Sequence, residues 1–140
     1  MILKIQKTNP EAKVPNTAYK GDAGLDLYSL KNTIILGQER AIIETGIAVE
    51  IPDGFVGLIW DRSSVPAKFG IKTMGGVIDS GYRGEIRIIM YNTSKEDYKI
   101  KKHDKVAQML IQKVESPKIV EVDKLSWSER DKKTFGSSGK

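Results

Sequence analysis

The sequence predicts an all-β protein, a barrel, a sandwich or a jelly roll, formed as one domain. Three observations carry that reading. The chain has 140 residues, the size of a single domain with no room for a second. It is 39% hydrophobic and 29% charged, which supports a packed core and argues against disorder over the whole length. Its apolar residues fall in brief runs rich in Ile and Val, set apart by 13 glycines and 5 prolines.

The runs of strand length are Ile2 to Ile5, Thr33 to Leu36, Arg40 to Glu44, Gly46 to Ile51, Phe55 to Trp60, Glu85 to Tyr91, Val106 to Ile111 and Ile119 to Val122. Asn9-Pro10, Pro52-Asp53-Gly54, Gly75-Gly76 and Ser80-Gly81 mark turns between them. One short helix is predicted after Arg62, where Ser63 and Ser64 offer a cap, Pro66 suits a first turn and Gly70 a stop. From about Ser126 the chain turns polar and charged and reads as a mobile tail, with Phe135 an unusual residue for one. Glu85 to Tyr91 and Val106 to Ile111 are apolar on nearly every residue. Such strands expect cover on both faces, which self-association or a tightly wound barrel would supply.

Composition also excludes chemistry. There is no cysteine, so disulfides, thiolate metal sites and a Cys nucleophile are ruled out. The single histidine, His103, lies in a polar run, which argues against a Ser-His triad or a multi-His metal site. Acid–base work then falls to carboxylates, Lys or Tyr. Lys and Arg number 23 against 18 acids, a net charge of +5. That balance suits an anionic partner, and equally a solvated lysine coat. No apolar run has the length of a membrane span, and the start lacks the apolar stretch of a secretory signal, so a cytosolic protein with no membrane partner is the default.

Two acids stand in apolar surroundings: Asp26 between Leu25 and Leu27, and Asp79 after Val77 and Ile78. A carboxylate so placed is costly unless paired, and such surroundings also tune one for general-base work. The plainer reading of each is a turn cap at a strand end. Of five arginines, Arg62, Arg83, Arg87 and Arg130 fall in the flagged segments. Arg62-Ser63-Ser64 before a helix is suited to an anion, or is an ordinary cap with Arg62 paired to Asp61. Gly75-Gly76 and Gly81 permit a tight hairpin that brings backbone close to a planar base, and Tyr82 offers a ring for a sugar or base.

Together these segments resemble the trimeric deoxyuridine triphosphatases (dUTPases). The five ordered motifs of that family have counterparts in Ala23-Gly-Leu-Asp-Leu27, Arg62-Ser-Ser64, Gly76-Val-Ile-Asp-Ser-Gly-Tyr-Arg-Gly-Glu85 continuing to Asn92, Asp104-Lys-Val-Ala-Gln-Met-Leu-Ile111, and Arg130 with Phe135-Gly-Ser-Ser-Gly139. The third is highly specific, and the five together span nearly the whole chain.

The resemblance implies a β-clip, a distorted jelly-roll barrel with one short helix, in residues 1–125, and a flexible lid arm of the same domain in residues 126–140. It implies a homotrimer whose active sites each draw on three chains. Asp79 and Tyr82 would come from one, Arg62, Ser63, Ser64 and Gln108 from a second, and Arg130, Phe135, Gly136 and Ser137 from a third. Asp79 would activate the water that attacks the α-phosphorus of dUTP, giving dUMP and pyrophosphate. That reaction limits uracil in DNA and supplies dUMP for thymidylate synthesis. Mg2+ would ride on the substrate phosphates and waters, with no direct protein ligand and with Asp26 and Gln108 one water further out. The hairpin from Thr73 through Val77 and Ile78 would pair with uracil, Tyr82 would pack on the deoxyribose, Phe135 would cover the base, Arg130 would approach the γ-phosphate, and Arg87 would lie near the nucleotide.

The sequence departs from the family pattern at Asp61, where a small or apolar residue is usual, and at Asp131 to Thr134, which replaces a glycine-rich run. Lys132 or Lys133 would then stand in as point charges to phosphate. A dCTP deaminase shares this fold but needs a Glu where Ile89 stands and an aromatic ring other than Tyr at Tyr82. A nucleic-acid-binding module is disfavoured by scattered basic residues, so no stable nucleic-acid partner is expected.

Overall fold

The computed structural model describes residues 1–132 and 134. Among them the chain forms ten strands and one helix: β1 (Lys4–Lys7), β2 (Leu25–Tyr28), β3 (Thr33–Ile35), β4 (Arg40–Glu50), β5 (Phe55–Trp60), α1 (Ser64–Phe69), β6 (Ile71–Met74), β7 (Val77–Ile78), β8 (Glu85–Asn92), β9 (Tyr98–Ile100) and β10 (Lys105–Lys113). One four-stranded sheet has the order β1-β4-β8-β6 and another β2-β10-β5-β7, with β3 and β9 a separate ribbon. Every pairing is antiparallel. The core joins all three, with Ile43, Ile86 and Met90 from the first sheet, Leu27, Ile59 and Met109 from the second, and Ile35 and Ile100 from the ribbon.

The two runs read as Arg40 to Glu44 and Gly46 to Ile51 are one strand. The break at Thr45 is a bulge: Glu44 pairs with Arg87, yet Ala48 pairs with Glu85, so β4 advances four residues while β8 retreats two. Gly46 takes the left-handed φ of +67° that the bulge needs. Its N–H donates to Glu85 Oε1 at 2.8 Å, and the Thr45 hydroxyl donates to the Ile86 carbonyl at 2.5 Å. Side-chain alternation is lost here, so Thr45 through Val49 are all buried.

Two expectations are corrected. Ile119 to Val122 forms no strand; it lies in residues 114–132, which carry no helix or strand, and Ile119 is 92% exposed. Four strands, β2, β6, β7 and β9, were not anticipated, because each is at most four residues long and is held by its partner rather than by its own pattern. The chain itself covers β8 on one face only. Ile86, Ile88, Met90 and Asn92 point inward, while Ile89 and Tyr91 face outward. Ile42, Ile89 and Met74 stand in one row across β4, β8 and β6, all substantially exposed on the chain's own account.

Asn92 closes β8 and carries a motif position inward. It is fully buried, and its amide donates to the carbonyls of Ile35 at 3.1 Å and Glu96 at 2.7 Å. Its Oδ1 accepts from the Ser94 N–H and hydroxyl at 3.0 and 2.8 Å. His103 sits exposed in the turn before β10 at φ 68°. We expect Asn92→Ala to cost about 2–4 kcal/mol in urea unfolding at fixed protein concentration, because it strands buried carbonyls and an N–H at once. A loss under about 0.5 kcal/mol would show the network to be dispensable.

Candidate active site

The residues singled out in the sequence gather in two hollows that share no lining residue. The first has a volume of about 440 Å³ and opens between the loop before β2 and the start of α1. Its floor is made by Asp26 of β2 and Gln108 of β10, which pair across the second sheet, and Gln108 pairs in turn with Trp60 of β5 beyond the hollow. Asp26 is only 8% exposed. Its Oδ1 lies 3.1 Å from Arg62 Nε and its Oδ2 2.6 Å from Lys105 Nζ. The hydrogen bond to Asp26 raises the Lys105 ammonium above its ordinary value despite partial desolvation. The apolar setting of Asp26 is therefore satisfied by two cations.

Lys105 was not anticipated. Counting alternate residues puts it on the face opposite Gln108. A bulge between Lys105 and Ala107 adds one residue to β10, since Lys105 pairs with Tyr28 and Ala107 with Leu27. That extra residue turns Lys105 to the same side as Gln108. Gln108 is fixed by donating from Nε2 to the main-chain carbonyl of Asp61 at 2.8 Å. Gly24 makes room for it, as a Cβ there would fall 2.2 Å from Gln108 Oε1.

The helix start differs from expectation. Ser63 is already helical in backbone and its side chain makes no cap hydrogen bond. Gly70 does end the helix, in the left-handed region, with its N–H donating to the Pro66 carbonyl at 3.0 Å. Ser63 and Ser64 are both exposed and line the first hollow, and the first turn has no acidic residue to repel an anion. Asp22 lines the opposite side and accepts from the Tyr19 N–H at 2.8 Å. Two carboxylates beside Arg62 suit an anion that arrives with a counter-cation. Among the described residues no group of three or more acids or histidines is placed to hold a metal by itself.

The pairing of Arg62 with Asp61 is not formed. Asp61 turns the other way, where its Oδ1 accepts from the Thr73 N–H and hydroxyl, both at 2.7 Å. Its Oδ2 accepts from Lys72 Nζ at 2.6 Å. Burial works to raise the Asp61 pKa, but the bonds from Lys72 and Thr73 together outweigh it and lower it. Thr73 is only 8% exposed, so its side chain and N–H are already engaged.

The second hollow, about 170 Å³, lies at the turn between β7 and β8 and is lined by Val77, Ile78, Asp79, Tyr82, Glu85 and Arg87. Asp79 is exposed, contrary to the apolar enclosure its neighbours imply, because Val77 is itself 66% exposed. The Tyr82 N–H donates to the Asp79 carbonyl at 3.1 Å, closing the turn. Arg83 Nη1 braces it by donating to the carbonyls of Ser80 at 2.6 Å and Tyr82 at 2.9 Å. The Tyr82 hydroxyl donates to the Glu85 carbonyl at 3.0 Å, and a Cβ at Gly84 would fall 2.4 Å from it. Gly76, at φ 103°, passes so close to β5 that a Cβ would meet the Ile59 carbonyl at 2.9 Å. Arg130 is exposed in the tail and lines neither hollow. Lys133, Phe135, Gly136 and Ser137 lie outside the described residues.

Fold and site thus define an all-β protein with an anion-suited hollow and a separate carboxylate-bearing hairpin. The family model described as dUTPase matches residues 10–139. The chain is 44% identical over 139 residues to a deoxyuridine 5'-triphosphate nucleotidohydrolase of Clostridioides difficile, covering 98% of this chain and 97% of that one. It superposes with a TM-score of 0.93 and 31% identity on a mutant dUTPase of Staphylococcus bacteriophage 80alpha with dUpNHpp, covering 99% and 98% of the two chains. A mutant dUTPase of phage phi11 of S. aureus, described with a structural Mg(II) ion, aligns with a TM-score of 0.84 and 29% identity over 91% of this chain and all of that one. The chain belongs to the dUTPase family.

The pairing of Asp26 with Lys105 has a direct readout. A nearby carboxylate favours the charged amine, so removing it lowers the pKa. In Asp26→Asn the Lys105 ammonium should titrate at lower pH than in the unsubstituted chain when followed by side-chain NMR. Identical titrations would show that the pair does not form in solution.

Proposed function

We propose that this chain hydrolyses dUTP to dUMP and pyrophosphate, in the cytoplasm, with each active site assembled from three copies of a homotrimer. One observation carries the reading: the Asp79 hairpin and the Arg62 segment line separate hollows with no residue in common. A single nucleotide that needs both must lie between two copies. The outward row of Ile42, Ile89 and Met74, with Tyr91 beside it, supports association because it offers an apolar face for burial.

In this mechanism the uracil edge pairs with backbone of the Gly75 to Ile78 hairpin. Thr73 serves that hairpin from below, since Asp61 holds its N–H and hydroxyl. Tyr82 is pressed over Gly84 and anchored at Glu85, so its ring is a rigid wall for the deoxyribose. Asp79 takes a proton from a water, whose oxygen bonds to the α-phosphorus as the bond to the bridging oxygen of pyrophosphate breaks. The neighbouring chain supplies Arg62, Ser63 and Ser64 as donors to phosphate oxygens, and Gln108 orients from the floor. Arg87 stands at the rim of the second hollow. Arg130 and the segment with Phe135, Gly136 and Ser137 would close over the site from the third chain.

Mg2+ fits this donor set as an ion carried by the phosphates. Both Asp26 oxygens already face cations, so Asp26 and Gln108 would act through water, and the bound ion would supply charge neutralisation of the triphosphate. No helix among the described residues is long and apolar enough to cross a membrane, and no stable nucleic-acid binding is proposed.

Pyrophosphate release with Mg2+ should occur with dUTP and not with dTTP, dCTP or UTP. Asp79→Asn should lower kcat by about 1,000-fold or more while a non-hydrolysable dUTP analogue still binds. Asp79→Asn and Arg62→Ala chains, each inactive, should regain activity when refolded together, approaching about a quarter of the unsubstituted level. No recovery on mixing would place both groups in one chain's site and reject the shared assembly.

A further inference from the structure

We infer that Asp61 is a positioning residue whose carboxylate clamps the Arg62–Ser64 segment to β6, so that phosphate grip and base selection are set by one contact. The inference rests on the nucleotide-hydrolysing reading above.

Asp61 stands at the end of β5, and consecutive residues there face opposite ways. Arg62 reaches into the first hollow toward Asp26, while Asp61 reaches under the hairpin. β6 is the edge strand of its sheet, bound to β8 on one side only. The Thr73 N–H therefore points away from β8 and needs a partner. Asp61 Oδ1 supplies it and takes the Thr73 hydroxyl as well, both at 2.7 Å. Its other oxygen takes Lys72 at 2.6 Å, so both carboxylate oxygens are held. The main-chain carbonyl of the same residue accepts from Gln108 at 2.8 Å, which ties the clamp to the hollow's floor.

Only Met74 separates Thr73 from Gly75, where the hairpin begins its left-handed turn at φ 67°. Glycines give that turn little stiffness of its own. A shift of β6 would move the hairpin carbonyls and amides that read the base. The same shift, passed through residue 61, would move Arg62 and Gln108. Burial opposes the charge on Asp61, but the bonds from Lys72 and Thr73 outweigh it and favour the carboxylate form that accepts them.

The test compares Asp61→Ala and Asp61→Asn for KM, kcat, and the ratio of kcat/KM for dUTP over dTTP. Asp61→Ala should raise the dUTP KM by about fivefold or more and narrow the dUTP preference by a similar factor, with kcat changed by less than about threefold. Asp61→Asn keeps an acceptor for Thr73 and should retain most of both. A drop in thermal midpoint with KM and preference unchanged would mean the contact merely caps an edge strand, and would overturn the inference. If Asp61→Ala does not fold, Thr73→Val removes the hydroxyl alone and should shift KM and preference in the same direction. No shift there overturns the inference equally. Amide hydrogen exchange needs no turnover: Asp61→Ala should speed exchange in both 62–64 and 73–78, and unchanged exchange in either segment contradicts the clamp. Absent dUTP turnover in the unsubstituted chain would refute the hydrolase reading instead, leaving exchange to decide the clamp.

Discussion

A buried carboxylate held between two cations is the fixed point on which the functional end of this chain depends. Asp26 reaches Arg62 and Lys105 from three different stretches of sequence, on β2, after β5 and on β10. An unpaired charge at that depth would be expensive, and the expense is what makes the arrangement specific. Any packing that separated β2 from β10, or let the end of β5 swing out, would leave the charge stranded. Stability is the lesser consequence, since both cations keep about a third of their side-chain surface in water. The greater one is that the guanidinium of Arg62 is aimed before any ligand arrives.

The sandwich supports this by separating tasks. One sheet carries the ion-pair floor, and the β7–β8 turn carries the carboxylate and the tyrosine wall. Gly84 matters through contact, and Gly76 through contact as well as its left-handed φ: each lets another group come closer than a side chain would permit. Bulges in β4 and β10 do what regular strands cannot, turning Glu85 toward Gly46 and Lys105 toward Asp26.

Legibility in the sequence followed the physics of each feature. Phe55 to Trp60 matched its strand residue for residue, because the run is compact and ends in clear turns. The helix and its glycine stop were readable for the same reason. The Arg62-Ser63-Ser64 and Asp79 to Tyr82 groups were legible as local patterns of residue type, and each set does line one hollow. What lay hidden was whatever depended on register. Lys105 was concealed by a bulge that reverses alternation, and the break at Thr45 was mistaken for the end of a strand. Asp61 was noticed as odd, and pairing with Arg62 was one of its two readings, whereas its partners are eleven and twelve residues away. Asp79 stands at the turn that ends β7, the plainer of its two readings, and the apolar frame does not enclose it because Val77 is itself exposed.

The outward row of Ile42, Ile89 and Met74 bears on the life of the chain before it has any neighbour. A newly made copy presents that strip to water in a crowded medium. During that interval it is open to adhesion by any other sticky surface. The surplus of positive charge works in the opposite direction, since like-charged chains repel at long range. How far that strip is open to adhesion therefore depends on how much of the chain is made at once.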